Sequence, residues 1–230
     1  MNNRINVLDI NIDKFTAKQA MKCFIEFMQT DPVDVIEMVT VENLMQMNET
    51  PDLKGSVRDF ELILAGESMI LESAGVTDKD YLLETEKQTF LKMLFRYLHK
   101  NHKRVYLLVD TQEEGQALYH YLEHYYRGVQ IGGMAKVVDE DRADDMIVNA
   151  VNGADIDCVI STMSSPLQED FILKNRSLLN AHVWLGLGKE VLDLKKTGIM
   201  LGRFTQFIMK KIFQKEVERR KRGVSNSMIQ

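Results

Sequence analysis

Residues 104–132 read RVYLLVDTQEEGQALYHYLEHYYRGVQIG, and this stretch decides the fold class. The short apolar run Val105–Val109 is bounded by polar residues, which predicts a buried strand. Over Glu113–Tyr126 the apolar side chains recur every three or four residues, which predicts a helix with one side packed on the sheet. Val129–Gly132 predicts the next strand. A strand, a helix and a strand in this order predict two parallel strands joined by a right-handed crossover.

The same alternation extends from this unit toward both termini. Toward the C-terminus the predicted elements are the helix Asp139–Asn152, the strand Ile156–Ser161, the helix Gln168–Leu173 and the strand Ala181–Leu185. Toward the N-terminus they are the strands Arg4–Ile12, Val33–Val41 and Asp59–Ala65, and the helices from Thr16, over Glu42–Met47 and over Thr85–Lys100. The pattern predicts an α/β protein with a mostly parallel sheet, a Rossmann-like second half and a less regular first half.

Bulk composition excludes several classes of protein. The 230 residues are 45% hydrophobic and 27% charged, as is ordinary for a soluble globular chain. The net charge of -5 argues against a general nucleic-acid binder. Cys23 and Cys158 lie in apolar surroundings without a CxxC spacing, so we expect neither zinc nor a disulfide, as suits the cytoplasm. No apolar run approaches the ~18 residues of a membrane span, so we expect a protein that does not cross the membrane.

Candidate functional residues are those that directly follow the predicted strands, because ligands of open parallel sheets bind beyond the carboxyl ends of the strands. Gly186 and Gly188 could let backbone N–H groups approach an anion, and a purely structural turn is the alternative. Glu67 could deprotonate a sugar hydroxyl, and a solvated loop glutamate is the alternative. Glu169 could face the site or could only complement the dipole of its helix.

The segment Ser164–Glu169, SSPLQE, resembles the G-x-P-K/R-Q-E signature of the WecG/TagA/CpsF glycosyltransferases, which form glycosyltransferase family 26. Further family landmarks have counterparts in the same order. Val39–Glu42 resembles V-T-x-N, Leu62–Ser68 stands in the place of L-V-x-P-D-G, Arg104–Leu108 matches the strand before a glycine pair, Gly186–Asp193 resembles G-V-G-G-x-F-D, and Lys195–Gly202 matches the start of the C-terminal region. The resemblance covers nearly the whole chain, and the order of the motifs is more specific than any one of them.

The resemblance implies a hexosyltransferase of bacterial surface-polysaccharide or teichoic acid synthesis. Such an enzyme moves an N-acetylmannosamine-type sugar from a UDP donor to a polyprenyl-diphosphate-linked N-acetylglucosamine, with inversion at the anomeric carbon and without a metal ion or other cofactor. It also implies that Thr40 is the active-site threonine and that Gln168 lies next to the donor. Gly186 and Gly188 would line the nucleotide pocket.

The chain departs from the family pattern at several of these positions. Gly66 aligns with the family aspartate of P-D-G, so the nearest acid is Glu67, one position later. Glu42 replaces the family asparagine, and Asp110 replaces a glycine where its charge would repel a diphosphate. Two readings therefore stay open: a transferase with Glu67 as a displaced base, and a catalytically weak or inactive relative that binds a nucleotide sugar or a protein partner. An unrelated nucleotide-binding Rossmann protein fits the sheet but does not explain the motif order.

The C-terminal segment is strongly basic. Lys210–Arg222 contains seven Lys or Arg residues and two Glu residues, which predicts a basic amphipathic helix. Such a helix can lie on an anionic bilayer with ~1 kcal/mol per basic residue, and a helix packed on the domain is the alternative. In the family this region is linked to membrane attachment and supplies arginines that could hold diphosphate. We therefore divide the chain into a domain at 1–198 and a basic helical appendage at 199–230, and we expect a peripheral protein on the inner face of the cell membrane.

These arguments give a defined set of candidate residues and partners. The catalytic candidates are Glu67, Thr40 and Gln168, and the substrate-binding candidates are Glu42, Ser165, Glu169, Gly186, Gly188, Arg203, Arg219 and Arg220. The expected partners are a UDP-sugar, a polyprenyl-diphosphate-linked acceptor and the membrane surface, but no nucleic acid. The exposed tyrosines expected on the helix Glu113–Tyr126 also make a homo-oligomer possible.

Overall fold

A computed structural model describes residues 4–50, 54–55, 57–138, 143–188, 211–220 and 222, and all structural statements concern these residues. The strands are β1 (Arg4–Val7), β2 (Ile10–Asp13), β3 (Asp34–Val39), β4 (Leu62–Ala65), β5 (Arg104–Val109), β6 (Gln130–Lys136), β7 (Cys158–Ser161) and β8 (Val183–Gly186). The helices are α1 (Ala17–Phe27), α2 (Val41–Glu49), α3 (Ser68–Ser73), α4 (Lys79–Glu86), α5 (Thr89–Lys100), α6 (Gln112–Tyr125), α7 (Asp144–Gly153) and α8 (Leu167–Asn175). Residues 211–220 form one further helix, here called the C-terminal helix.

Within the described residues, six strands form one parallel sheet in the order β4-β3-β8-β7-β5-β6. Every neighbouring pair in this sheet runs parallel. The two halves of the chain meet where β3 pairs with β8, so the less regular first half extends the Rossmann-like sheet of the second half. The predicted α/β class with a mostly parallel sheet is confirmed.

Two apolar clusters cover the two faces of the sheet. Helices α2, α7, α8 and the C-terminal helix contribute to one cluster, which surrounds Trp184. Helices α1, α5 and α6 contribute to the other cluster. Side chains of a strand alternate between faces, so Val35 and Val39 join the first cluster, whereas Ile36 and Met38 join the second. Glu37 lies between them in register and therefore points toward the face that carries α2 and α8.

Two predicted elements near the N-terminus are wrong in detail. The predicted strand Arg4–Ile12 is an antiparallel hairpin, because Leu8 and Asp9 adopt left-handed φ angles of 51° and 66° and reverse the chain between β1 and β2. The predicted helix Thr85–Lys100 is divided into the end of α4 and the whole of α5, because Gln88 has a left-handed φ of 51°. The capping box predicted at Thr16 is present at the start of α1.

The C-terminal helix packs on the domain. Phe213 and Val217, one turn apart, are buried in the cluster that includes α2 and α8. Arg220 donates hydrogen bonds to Asp9 and to Asn48 near the end of α2. The predicted boundary between residues 198 and 199 lies outside the described residues. No helix of the described part is both long and apolar enough to cross a bilayer.

Candidate active site at the carboxyl ends of the strands

Thr40 connects β3 directly to α2 and lies at the carboxyl edge of the sheet. Its hydroxyl accepts a hydrogen bond from the Asn43 amide at 3.1 Å and donates one to Asn43 Oδ1 at 2.6 Å. The Thr40 amide also donates to Asn43 Oδ1, at 3.0 Å. This reciprocal arrangement is a capping box that orders the first turn of α2. The structure therefore gives the predicted catalytic threonine a buried position with its hydroxyl engaged by Asn43.

Glu67 lies beside the same helix start. It follows β4, which pairs in register with β3 so that Val39 lies opposite Ala65. The Glu67 carboxyl accepts a hydrogen bond from the Val41 amide at 3.1 Å. The N-terminus of a helix favours negative charge, so α2 stabilises the carboxylate there. Glu67 and Thr40 come together at one edge of the sheet, as the sequence predicted.

Gln168 joins three elements of the site. Its Nε2 donates a hydrogen bond to Glu37 Oε1 in β3 at 2.6 Å. Its Oε1 accepts a bond from the Gly188 amide, in the turn after β8, at 3.4 Å. Gln168 itself belongs to the first turn of α8 and is completely buried. Sequence reasoning missed Glu37, although an acid inside the otherwise apolar strand was a usable signal.

Neighbouring side chains pack so closely against positions 186 and 188 that both need glycine. A Cβ at Gly186 would lie 2.1 Å from Glu37 Oε2 and 2.8 Å from Gln168 Nε2. A Cβ at Gly188 would lie 2.7 Å from Asn43 Oδ1, and the φ of Gly188 is 62°, in the region that favours glycine. Thus the predicted nucleotide-binding turn lies between the Thr40–Asn43 capping box and the Glu37–Gln168 pair.

Glu169 forms a second buried acid next to this network. Burial raises the pKa of Glu169 to about 7. The backbone amide of Glu169 and the Ser165 hydroxyl oppose this rise, although neither makes a hydrogen bond of normal geometry to the carboxyl. Burial, and next the charge of Glu169, raise the pKa of Glu37 well above its usual range, which the bond from Gln168 opposes. Within the described residues, Glu37 Oε2 and both Glu169 carboxyl oxygens accept no hydrogen bond. Burial therefore shifts both carboxyls toward the neutral acid.

Asp110, which follows β5, holds the loop before α8. Both of its carboxylate oxygens lie 3.0 Å from the Ser164 amide, which donates to them. This loop contains Ser165, a buried candidate, and the cis peptide bond between Ser165 and Pro166. Asp110, whose charge the sequence predicted to repel a diphosphate, thus accepts hydrogen bonds from the loop before α8.

The remaining candidates contact other parts of the structure. Glu42, half-buried in the first turn of α2, accepts a long hydrogen bond from Gln46. Arg219 forms an ion pair with Glu216. Arg220 donates a hydrogen bond to Asn48, which lies about 12 Å from Thr40 along α2 at a helical rise of about 1.5 Å per residue. Arg203 lies outside the described residues. Among the residues that the structure describes, no group of three or more His, Cys, Asp or Glu side chains could hold a metal ion.

Comparison with known proteins shows the family of this chain. Residues 5–193 match the family model described as the glycosyl transferase WecG/TagA/CpsF family. The chain belongs to this family. It is also 20% identical, over 195 residues, to N-acetylglucosaminyldiphosphoundecaprenol N-acetyl-beta-D-mannosaminyltransferase of Staphylococcus aureus (strain MRSA252). That match covers 80% of this chain and 73% of the relative. The resemblance that the motif order predicted is confirmed.

Gly66, which the motif order aligns with the family aspartate, lies at the edge of the sheet in this member of the WecG/TagA/CpsF family. Its amide donates to the Val39 carbonyl at 2.8 Å. Gly66 therefore continues the ladder between β3 and β4 and offers no side chain to a substrate. Glu67 is the acid that this WecG/TagA/CpsF protein places next to Thr40 instead.

Proposed function

We propose that this protein transfers an N-acetylmannosamine-type sugar from a UDP donor to a polyprenyl-diphosphate-linked N-acetylglucosamine. Its family membership and the activity named for the Staphylococcus aureus relative support the choice of reaction. The observation that carries the proposal is the bond from the Val41 amide to Glu67, which holds a carboxylate beside Thr40 at the ligand-binding edge of the sheet.

In the proposed reaction Glu67 is the general base. It takes the proton of the acceptor hydroxyl, and the hydroxyl oxygen forms a bond to the anomeric carbon of the donor. The bond between that carbon and the diphosphate oxygen breaks, and UDP leaves with the electron pair. Attack from the face opposite to UDP inverts the anomeric carbon.

We propose that helix termini, and not a metal ion, offset the charge of the donor diphosphate. The N-termini of α2 and α8 both lie at the carboxyl edge of the sheet and carry partial positive charge. The turn Gly186–Gly188 lies between them, packed against Glu37, Gln168 and Asn43. Activity in the presence of a strong chelator, with no loss relative to untreated protein, is the expected result.

Glu67→Gln tests the proposed base, because glutamine keeps the hydrogen-bond acceptor for Val41 but cannot take a proton. Turnover should fall at least about a hundredfold, the usual contribution of a general base, while UDP-sugar affinity stays near wild type. Glu86→Gln, an exposed glutamate at the end of α4, is the matched control and should leave both unchanged. Full turnover by Glu67→Gln would remove Glu67 from the mechanism.

The second candidate function is a relative that binds the donor without transferring its sugar. Glycine at position 66 favours it, because Gly66 has no side chain that could act as a base. Calorimetric titration with a panel of UDP-sugars, run beside a transfer assay, separates the two. Binding without product supports this second function, and binding with product supports the transferase.

We also propose that the protein lies peripherally on the inner face of the membrane through electrostatic attraction. The apolar side of the C-terminal helix, Phe213 and Val217, is already buried in the domain, whereas Lys215, Arg219 and Arg222 are exposed. Attachment should therefore depend on anionic lipid and weaken with salt. Co-sedimentation with anionic vesicles, compared with zwitterionic ones, measures it, and equal binding to both would contradict the proposal. Self-association remains a prediction.

A further inference from the structure

Strand β3 carries a buried acid without an evident structural benefit. Glu37 is 0% exposed, and its Oε2 has no hydrogen-bond partner among the described residues. A buried polar atom without a partner is costly, and an apolar side chain of similar length would avoid this cost.

The carboxyl of Glu37 determines which way the Gln168 carboxamide faces. The two ends of a carboxamide have nearly the same shape but opposite hydrogen-bonding character. In the observed orientation Nε2 donates to Glu37 and Oε1 accepts from the Gly188 amide. In the flipped orientation an NH₂ group would face the Gly188 N–H, and an oxygen would face Glu37 Oε1. Glu37 Oε1 can accept this bond either as a carboxylate oxygen or as the carbonyl oxygen of the neutral acid, and only the observed orientation also satisfies the Gly188 N–H.

Glu37 also contacts the start of the same turn. Its Oε2 lies against Gly186, so close that any Cβ there would overlap it. On the opposite side, Asn43 packs against Gly188 while its Oδ1 accepts the bonds from Thr40. The turn after β8 is therefore held from β3 by Glu37, from α8 by Gln168, and from α2 by Asn43.

We propose that Glu37 is a positioning residue that acts through Gln168 to hold the Gly186–Gly188 turn where the nucleoside diphosphate of a sugar donor binds. The inference rests on the proposed function for its ligand, but the position of the turn can be measured without any ligand. Glutamine at position 37 keeps an acceptor oxygen of the same reach and should preserve the effect. Methionine keeps the length and removes the acceptor.

The first test is amide hydrogen exchange at Gly188 in the ligand-free protein. Glu37→Met should raise the exchange rate by about tenfold, the equivalent of one typical hydrogen bond, and Glu37→Gln should stay close to wild type. Ile36→Val, on the opposite face of the same strand, is the control for general loosening of β3 and should leave Gly188 unchanged. Thermal unfolding serves as the control for global stability, because Glu37→Met removes a buried unpartnered oxygen but also leaves the buried Gln168 Nε2 without its acceptor.

If Glu37→Met does not fold, Gln168→Met breaks the same connection from α8 and should give the same faster exchange at Gly188. The second test is calorimetric affinity for the UDP-sugar that wild type binds, where Glu37→Met should be about tenfold weaker and Glu37→Gln near wild type. Unchanged exchange at Gly188 in Glu37→Met overturns the proposal, as does a Glu37→Gln variant that behaves like Glu37→Met. If wild type binds no UDP-sugar, the proposed function fails, while the exchange result still decides whether Glu37 holds the turn.

Discussion

Replacing Glu169 with glutamine should change how the stability of the protein depends on pH. Burial raises the pKa of the Glu169 carboxyl from 4.5 to about 7, so the folded protein keeps a proton that the unfolded chain has already lost. The stabilisation by the neutral acid is complete below about pH 4.5 and is lost as the pH rises through about 7. A rise of this size in the pKa corresponds to about 3 kcal/mol of unfolding free energy. Glu37 adds to the same trend, because burial, and next the charge of Glu169, raise its pKa.

Urea unfolding of wild type and Glu169→Gln, measured from about pH 4.5 to about pH 8, gives the comparison. The stability of wild type relative to Glu169→Gln should fall by about 3 kcal/mol over this range, because glutamine has no proton to lose. Glu86→Gln, in an exposed position, should run parallel to wild type. Parallel curves for wild type and Glu169→Gln would show that Glu169 is not held neutral and would refute the reasoning about the buried acids.

Three further substitutions test the packing around the site. Gly186→Ala places a Cβ against the Glu37 carboxyl and should lower the free energy of unfolding, measured by chemical denaturation, by about 1–3 kcal/mol. The loss should be smaller when Glu37 is also replaced by alanine, and additive losses would contradict the contact. Thr40→Val removes the cap of α2 and should lower stability by about 1 kcal/mol, whereas Thr40→Ser should not; equal losses in thermal unfolding would contradict the capping role. Arg220→Ala breaks a largely exposed ion pair with Asp9 and should lower the free energy of unfolding by less than about 1 kcal/mol. It should still speed hydrogen exchange in the C-terminal helix, and unchanged exchange would contradict that contact.

The sheet could be predicted from the sequence because its strands are apolar runs at regular spacing. Segments such as Val105–Val109 can be buried on both faces of a parallel sheet, and this pattern identifies them without knowledge of their neighbours. Strand β6 was predicted too short because Gly132 and Gly133 are poor strand formers. In the structure their missing side chains leave room for Ile156 and the ring of Tyr106, a contact between distant segments that the local pattern does not contain.

The site could be predicted only as a set of loops. The motif order predicts Thr40, Glu67, Gln168, Gly186 and Gly188 as site residues, since each lies at the end of a strand or at the start of a helix. It did not identify Glu37, because the residue lies inside a strand and its function depends on which side chain of α8 covers it. The hairpin turn at Leu8 and Asp9 was also missed, because neither residue is a usual marker of left-handed backbone.

Transfer to a short-chain prenyl-diphosphate N-acetylglucosamine, followed by mass spectrometry of the acceptor, tests the central claim most directly. The purified wild-type protein and a UDP-linked N-acetylmannosamine donor should convert the acceptor to a product that carries one added N-acetylhexosamine. Glu67→Gln should bind the donor but form at least about a hundredfold less product. Product formed equally well by Glu67→Gln would contradict the assigned base, and a wild-type protein that neither binds a UDP-sugar nor modifies the acceptor would contradict the proposed function.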